Sequence, residues 1–280
     1  MNDMTQISQA DLDYFNGANK VIATDSSVLV SSSPYLNDGP LRALIAQEML
    51  RRNGKDLAST AYIPEVAMRV HAIEDTPAVD AMIAAEKEKN PDFKAWIDAR
   101  VLSNFTADDV KGFAPGTLGA TIHSFLTDSG YQIDYFFQGM PVNTDYDYYK
   151  KERTFTHDIE HMVTGFETDH ASEIALLYAN MECFYRYFTP ELATEFCRIY
   201  AFLASKTMFK GVFYYPRSMQ AQLEAIHRGV EMGRGWTKPL LMVNWWKHLD
   251  WTIEAIREEY GIMNAPPSGY WAWTSDAVQD

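Results

Sequence analysis

From Pro40 onward, nearly every segment of the sequence carries apolar residues at helical spacing and ends at proline or glycine. Pro77 and Pro91 stand where the first turn of a helix tolerates proline. Gly130 and Gly261 are typical of the residue that follows the last turn. Alternating segments with hairpin turn signals and internal repeats are both missing from the sequence. The chain is therefore predicted to adopt an all-α fold.

The helix predicted by the first apolar stripe, which begins at Leu41, is expected to end at Gly54 as its C-cap. The best linker candidate is 131–153, whose aromatic residues we interpret as packing onto the core rather than lining a site. We interpret Trp245, Trp246 and Trp251 as core residues in the same way. The first stripe comprises Leu41, Leu44, Ile45 and Met49, and further helices are predicted over 60–72, 77–89, 91–103, 117–129, 170–188, 189–209, 217–233 and 237–260.

A chain of 280 residues can bury a large core in one or two domains. We predict a single globular multi-helix domain over residues 37–262, with an extended N-terminal helical portion. Residues 1–36 are rich in Ser, Asp and Asn and are expected to form a partly ordered arm. Residues 263–280 are expected to form a tail that contains Trp and Pro.

The net charge of −14 argues against a nucleic acid partner and against electrostatic adhesion to anionic lipid. No stretch reaches the roughly 18 apolar residues that cross a bilayer. The N-terminal residues lack the basic and apolar regions of a signal peptide. We therefore expect a bacterial cytoplasmic protein, for which apolar peripheral contact at the inner face of the membrane is a further option. Cys183 and Cys197 are expected to be buried, reduced thiols.

The candidate site begins with two histidines, His157 and His161, which lie one turn apart on the same face of a predicted helix. Asp158 follows the first histidine, and Glu173 supplies a second carboxylate from a separate stretch. Two imidazoles and two carboxylates suit zinc or another divalent metal and leave room for an open coordination position. Asp158 and Glu173 are also the candidate catalytic groups, because a ligand carboxylate can accept a proton.

Convergence of these residues requires a break in the helix. On one straight helix, Glu173 would lie about 160° around the axis from His157. Gly165 and Asp169 supply the break, as a helix end and the N-cap of the next helix. Glu173 then lies at the edge of an apolar stripe, where an inward-facing carboxylate needs a partner such as a metal. His170 is a candidate for one of two roles: it hydrogen-bonds to a metal ligand, or it is itself a spare ligand. The alternative is that His170 is a solvated residue near the helix cap.

Spacing alone leaves metal binding open, because histidines four residues apart also occur in helices that hold no ion. A zincin protease is disfavoured, because Asp158 stands where such enzymes carry glutamate. An HD-type phosphohydrolase would need a further histidine and aspartate, for which we find no convincing spacing.

At these residues the sequence resembles a known family. The pattern His157-Asp158-x-x-His161, eleven residues and Glu173 looks like the signature of the coenzyme Q biosynthesis protein 4 family. Flanking similarity extends the resemblance over about residues 90–262. The family usually has an arginine three residues before the first histidine; here that residue is Thr154, and Arg153 precedes it. The flanking motifs are Gly116-Thr117-Leu118-Gly119, Lys238-Pro239-Leu240-Leu241 and the segment 254–262.

The resemblance implies an all-α fold and one divalent metal held by His157, Asp158, His161 and Glu173. Zinc is the metal that it favours, and iron, manganese or magnesium would also suit the ligands. It also implies a long hydrophobic cavity for a prenylated aromatic molecule. The family is linked to ubiquinone synthesis, in which a ring carboxylate is replaced by a hydroxyl group, and to a scaffold role for other biosynthetic enzymes.

Two functions follow as hypotheses. The first is a metal-dependent decarboxylase or oxygenase, a lyase or oxidoreductase, that acts on a hydrophobic aromatic or quinone precursor. The second is a non-catalytic scaffold that binds a prenyl lipid or quinone and holds a structural metal. A homodimer is compatible with both. The substrate, the metal and the use of dioxygen stay open on the sequence.

Overall fold

The computed structural model of the protein describes residues 31, 33–53, 63–130 and 139–279. Within these ranges the regular structure comprises thirteen α-helices and three short 3₁₀ helices. An isolated bridge between Thr117 and Thr252 is the sole β-type pairing in the described ranges. The predicted all-α fold of one helical domain is confirmed.

The helices that build the site lie in the second half of the chain. The α-helices are α1 (Pro34–Asn37), α2 (Gly39–Leu50), α3 (Ile63–Ile73), α4 (Thr76–Lys89), α5 (Pro91–Ala99), α6 (Leu118–Ser129), α7 (Asp145–Phe155), α8 (His157–Thr164), α9 (His170–Tyr187), α10 (Pro190–Phe213), α11 (Met219–Gly235), α12 (Ile253–Tyr260) and α13 (Trp273–Ala277). The 3₁₀ helices are Pro216–Ser218, Leu240–Met242 and Trp245–His248. None of the helices in the described ranges is long and apolar enough to cross a membrane.

Most predicted helices lie within a few residues of observed ones, but two expectations are wrong. The predicted helix 237–260 is replaced by two 3₁₀ turns and α12, because the backbone is extended at Val243 and Thr252 caps a new helix. The predicted linker is helical from Asp145, where Thr144 and Asp147 form a capping box. The predicted cap at Gly54, residues 131–138 and nearly all of the N-terminal arm lie outside the described residues.

The predicted packing role of the aromatic residues is confirmed at most described positions. Tyr146, Tyr148 and Tyr149 are buried in a core formed largely by α4, α5, α7 and α10. Trp245 is fully buried in a second core, whereas the prediction is wrong for Trp246 and Trp251, which are each 36% exposed. Cys183 and Cys197 are buried and form no disulfide, as predicted.

Helix α9 runs through the second core and lies directly against α11. Gly229 and Gly233 of α11 face Ala175 and Ala179 of α9, so that a Cβ atom at either glycine would come within 2.3 Å of a carbonyl oxygen. These small residues let the two backbones approach closely. The C-terminal segment packs on the same helix, because buried Thr274 donates a hydrogen bond to Asp169. Both contacts fix the position of α9, which carries Glu173.

Candidate metal centre

Helices α8 and α9 meet at the break that the sequence predicts. Helix α8 ends at Gly165, which has a φ of 75° and donates its N–H to the carbonyl of His161. Asp169 caps α9 by accepting hydrogen bonds from the N–H groups of Ala171 and Ser172. The chain reverses between these two residues, and Glu173 returns to the histidine face of α8.

His157, His161 and Glu173 present their ligand atoms to a single point. The two Nε2 atoms lie 3.3 Å apart. The carboxylate places Oε2 at 3.5 Å from Nε2 of His157 and Oε1 at 3.5 Å from Nε2 of His161. Atoms that bind one tetrahedral zinc ion at about 2.0–2.2 Å stand roughly 3.3–3.6 Å apart. The donor set and its spacing therefore fit a mononuclear divalent metal.

The second histidine is held in the tautomer that metal binding requires. Nδ1 of His161 lies 2.6 Å from the carbonyl oxygen of Phe166, to which it can only donate. The Nδ1 proton stays on this hydrogen bond, so Nε2, the atom that faces Glu173, is the nitrogen that offers its lone pair to a cation once its own proton is displaced. The ring is 5% exposed, so its orientation is also fixed by packing.

The carboxylate of Glu173 is held in its ionised form. Burial acts to raise the pKa of Glu173, but hydrogen bonds and charges from His157 and His161 outweigh it and hold the pKa well below its usual value. Burial acts to lower the pKa of His161, but Glu173 outweighs burial and the net pKa is raised. An incoming cation would therefore displace the proton from His161 and keep the carboxylate as its counter-charge.

Asp158, the fourth predicted ligand, is not part of the converging group. It is half-buried, and burial raises the pKa of its carboxyl group against the opposing effect of the His157 and His161 charges. The structure thus brings together three of the four predicted ligands. Metal binding by Asp158 stays a prediction.

A buried polar network that the sequence did not predict supports the first histidine. Nη1 of Arg153 lies 2.8 Å from the Glu160 carboxylate, and its Nε donates to the hydroxyl of Tyr200. Asn180 donates to the second oxygen of Glu160 at 2.9 Å. Nη2 of Arg153 lies 3.5 Å from Nδ1 of His157, a weak contact at the limit of hydrogen bonding. Arg153 therefore lies against the first histidine.

His170 forms its hydrogen bond away from the metal group. Its Nε2 lies 3.1 Å from Nε2 of Gln222, so that the imidazole accepts from the amide. Burial lowers the pKa of His170 to about 4, with a further contribution from the positive charge of Lys206. The imidazole is therefore neutral at physiological pH, and its predicted contact with a metal ligand stays a prediction.

His157, Glu173 and His170 line a cavity of about 320 Å³. Its apolar wall includes Leu177 and Leu203, and the side chains of His157 and Glu173 are each 39% exposed. Several lining residues come from α10, which the sequence did not link to the site, because a long helix with scattered polar residues predicts no particular neighbour. The remaining polar lining residues are Asn53, Arg153, Thr168, Tyr200, Lys206, Thr207, Lys210, Tyr215, Gln222, Ser275 and Gln279.

Fold and site together define an all-α protein with a His/His/Glu group in the wall of a partly apolar cavity. No family model and no curated protein matches the sequence. The fold is similar to the crystal structure of a protein from Nostoc punctiforme that carries a provisional ubiquinone biosynthesis assignment. The two chains are 22% identical, the match covers 80% of this chain and 95% of the other, and the TM-score is 0.59. At this identity the similarity establishes the fold.

Proposed function

We propose that the protein is a metal-dependent enzyme that acts on a hydrophobic aromatic or quinone-type precursor. The observation that carries the proposal is the convergence of His157, His161 and Glu173, each with one ligand atom within 4.8 Å of the others, in the wall of a cavity. The sequence resemblance and the fold of the Nostoc punctiforme protein both support ubiquinone biosynthesis as the setting.

The accessibility of the ligands favours a catalytic metal over a structural one. Structural zinc sites are closed by four protein ligands, whereas catalytic sites keep a position for water or substrate. Three ligands converge here, and two of them, His157 and Glu173, are reached from the cavity. A metal held by these residues would therefore be open to a substrate atom on the cavity side.

When bound, the metal would supply Lewis acidity toward a ring carboxylate or phenolate. The residues of the chain hold and orient the reactants. His157, His161 and Glu173 fix the ion, and Leu177 and Leu203 exclude water from the ring. Asp158, whose pKa is raised by burial, accepts or returns a proton next to the ligands. Decarboxylation or hydroxylation of the ring is the proposed reaction.

Zinc is the expected ion, because two imidazoles and a carboxylate are among its usual ligands. If the reaction consumes dioxygen, iron or manganese replaces it, because zinc has no redox chemistry. The bound metal thus distinguishes a lyase from an oxidoreductase.

Metal analysis of the purified protein tests the proposal. We expect about one equivalent of metal in the wild type by plasma mass spectrometry and a loss of most of it in His161→Ala. His227→Ala is the matched control, because His227 pairs with Glu231 at 3.5 Å on an exposed surface and is not part of the converging group. Full metal content in His161→Ala would contradict the proposal. A metal-loaded protein that holds a prenyl lipid and turns over no ring compound would instead favour the scaffold.

A further inference from the structure

Two buried lysines line the cavity that contains the metal group. Lys206 and Lys210 are each 4% exposed and lie one turn apart on α10. Nζ of Lys206 lies 3.6 Å from the buried carboxylate of Glu48, and Nζ of Lys210 donates to the side-chain oxygen of Asn53. Burying an ammonium group costs free energy, so two of them in one cavity wall require a reason.

Lys206 and Lys210 lie farther along α10 than Tyr200, the residue of that helix that reaches the metal group through Arg153. Tyr200 contacts Arg153, which lies against His157, and so marks the metal end of the cavity. Lys206 and Lys210 follow Tyr200 by six and ten residues on the same lined face, or about 9 and 15 Å along the helix axis. We call the part of the cavity wall that is formed by Lys206 and Lys210 the cationic end of the cavity.

Two neighbouring side chains show that the cationic end is polar throughout. His170 lines the cavity beside Gln222, and its Nε2 accepts a hydrogen bond from the Gln222 amide at 3.1 Å. The side chain of Gln222 is 1% exposed, and its Oε1 has no hydrogen-bond partner among the described residues. A buried acceptor without a partner is costly and is suited to a ligand that carries a donor. A hydroxyl group beside an anionic group would satisfy this end.

We infer that the cavity binds an apolar acid whose carboxylate or phosphate group lies at Lys206 and Lys210 and whose ring extends toward His157 and Glu173. The inference rests on the proposed function for the ring end only. Leu177 and Leu203 supply the apolar contact between the two ends. An uncharged apolar end would have to lie against two buried ammonium groups, so the end of the molecule at the lysines is predicted to be ionised.

The test is calorimetric binding to protein stripped of metal with EDTA, with phenylbutyrate, phenylbutyl phosphate and phenylbutanol as probes. These molecules share a ring and spacer and differ in the end group. We expect at least one anionic probe to bind on the order of tenfold more tightly than the alcohol, because charge-assisted hydrogen bonds are stronger than neutral ones. A preference for the carboxylate or for the phosphate would identify the anion. Because no metal is present, the result is independent of whether the metal site is catalytic.

Lys210→Met should remove most of this preference and leave phenylbutanol binding unchanged. Lys206→Met would leave the buried Glu48 without its lysine, so the double variant Lys206→Met/Glu48→Gln, in which the amide oxygen can still accept from Arg51, serves as a second test. Lys151→Met is the matched control, because Lys151 is a buried lysine that does not line the cavity. Equal binding of all three probes, equal weakening of all three in Lys210→Met, or tighter binding of geranylgeraniol than of either anion would overturn the inference.

Discussion

Gly229 of α11 lies so close to Ala175 of α9 that a Cβ atom on residue 229 would stand 2.2 Å from the Ala175 carbonyl oxygen. The clash would be with backbone, which cannot rotate away as a side chain does. The glycine therefore sets the separation of two central helices. Because α9 also carries Glu173, this contact helps to determine where the carboxylate meets the histidines of α8.

Gly229→Ala should therefore destabilise the protein, although alanine favours a helix by about 1 kcal/mol. We expect the free energy of unfolding to fall by about 2 kcal/mol or more, because overpacking against backbone forces the helices apart. Denaturant titration followed by circular dichroism measures the change. Gly39→Ala is the control, since a Cβ atom there meets nothing within 4 Å. Equal stability of wild type and Gly229→Ala would show that the helices separate at no cost.

Arg153 is predicted to matter chiefly through the buried charge of Glu160. Glu160 is fully buried, and Arg153→Met would leave its carboxylate without the guanidinium at 2.8 Å. We expect a loss of about 3 kcal/mol or more in the free energy of unfolding. The double variant Arg153→Met/Glu160→Gln should recover much of the loss, because the amide oxygen can still accept from Asn180. Additive effects of the two substitutions in a double-mutant cycle would contradict this coupling.

Glu152 should make the stability of the protein depend on pH. Burial raises the pKa of this carboxyl group from 4.5 to about 8, although the N–H and hydroxyl of Ser103 donate to it. Between these pH values the folded state binds more protons than the unfolded state. The contribution of Glu152 to stability is therefore fully present below pH 4.5 and is lost as the pH rises through 8, at about 1 kcal/mol per pH unit.

Glu152→Gln should remove that part of the pH dependence. The amide can accept from the Ser103 N–H and donate to its hydroxyl oxygen, so the fold keeps both contacts without a titrating group. Unfolding free energies at pH 5 and pH 8 should differ less in the variant than in the wild type. Glu258→Gln, at an exposed position, is the control and should leave the slope unchanged. An unaltered slope in Glu152→Gln would rule out Glu152 as its source.

Zinc should raise the melting temperature of protein stripped with EDTA. A ligand that binds only the folded state stabilises it by about 2.7 kcal/mol at one hundred times its dissociation constant. Glu173→Gln should abolish most of the increase, because it replaces the ionised ligand between the two histidines. Glu231→Gln, beside the exposed His227, should retain the full increase. An increase of the same size in both variants would place the zinc elsewhere.

The helices of the metal group could be predicted because their signals are local. The spacing of His157 and His161, the glycine at 165 and the capping aspartate at 169 each act within one or two turns. Their three-dimensional consequence, the return of Glu173 to the face of α8, follows once the break is assigned. Asp158 was predicted to join this group and does not converge with it, because the residue after His157 on a helix points in a different direction from His157.

The cationic end of the cavity could not be predicted from such local signals. Lys206 and Lys210 are four residues apart, and two lysines at this spacing in a helix normally predict an exposed polar face. Their burial depends on contacts with Glu48 and Asn53, which lie more than 150 residues earlier in the chain. The turns around Trp245 were missed for a related reason, since apolar spacing alone does not distinguish an α-helix from successive 3₁₀ turns.

The most direct test of the metal centre is anomalous X-ray diffraction from crystals of the purified protein, recorded at the absorption edge of the metal found by mass spectrometry. The account predicts one peak bonded to Nε2 of His157, Nε2 of His161 and the carboxylate of Glu173, at about 2.0–2.2 Å from each. A peak bonded to other residues, or no peak at these three in protein that contains stoichiometric metal, would contradict it.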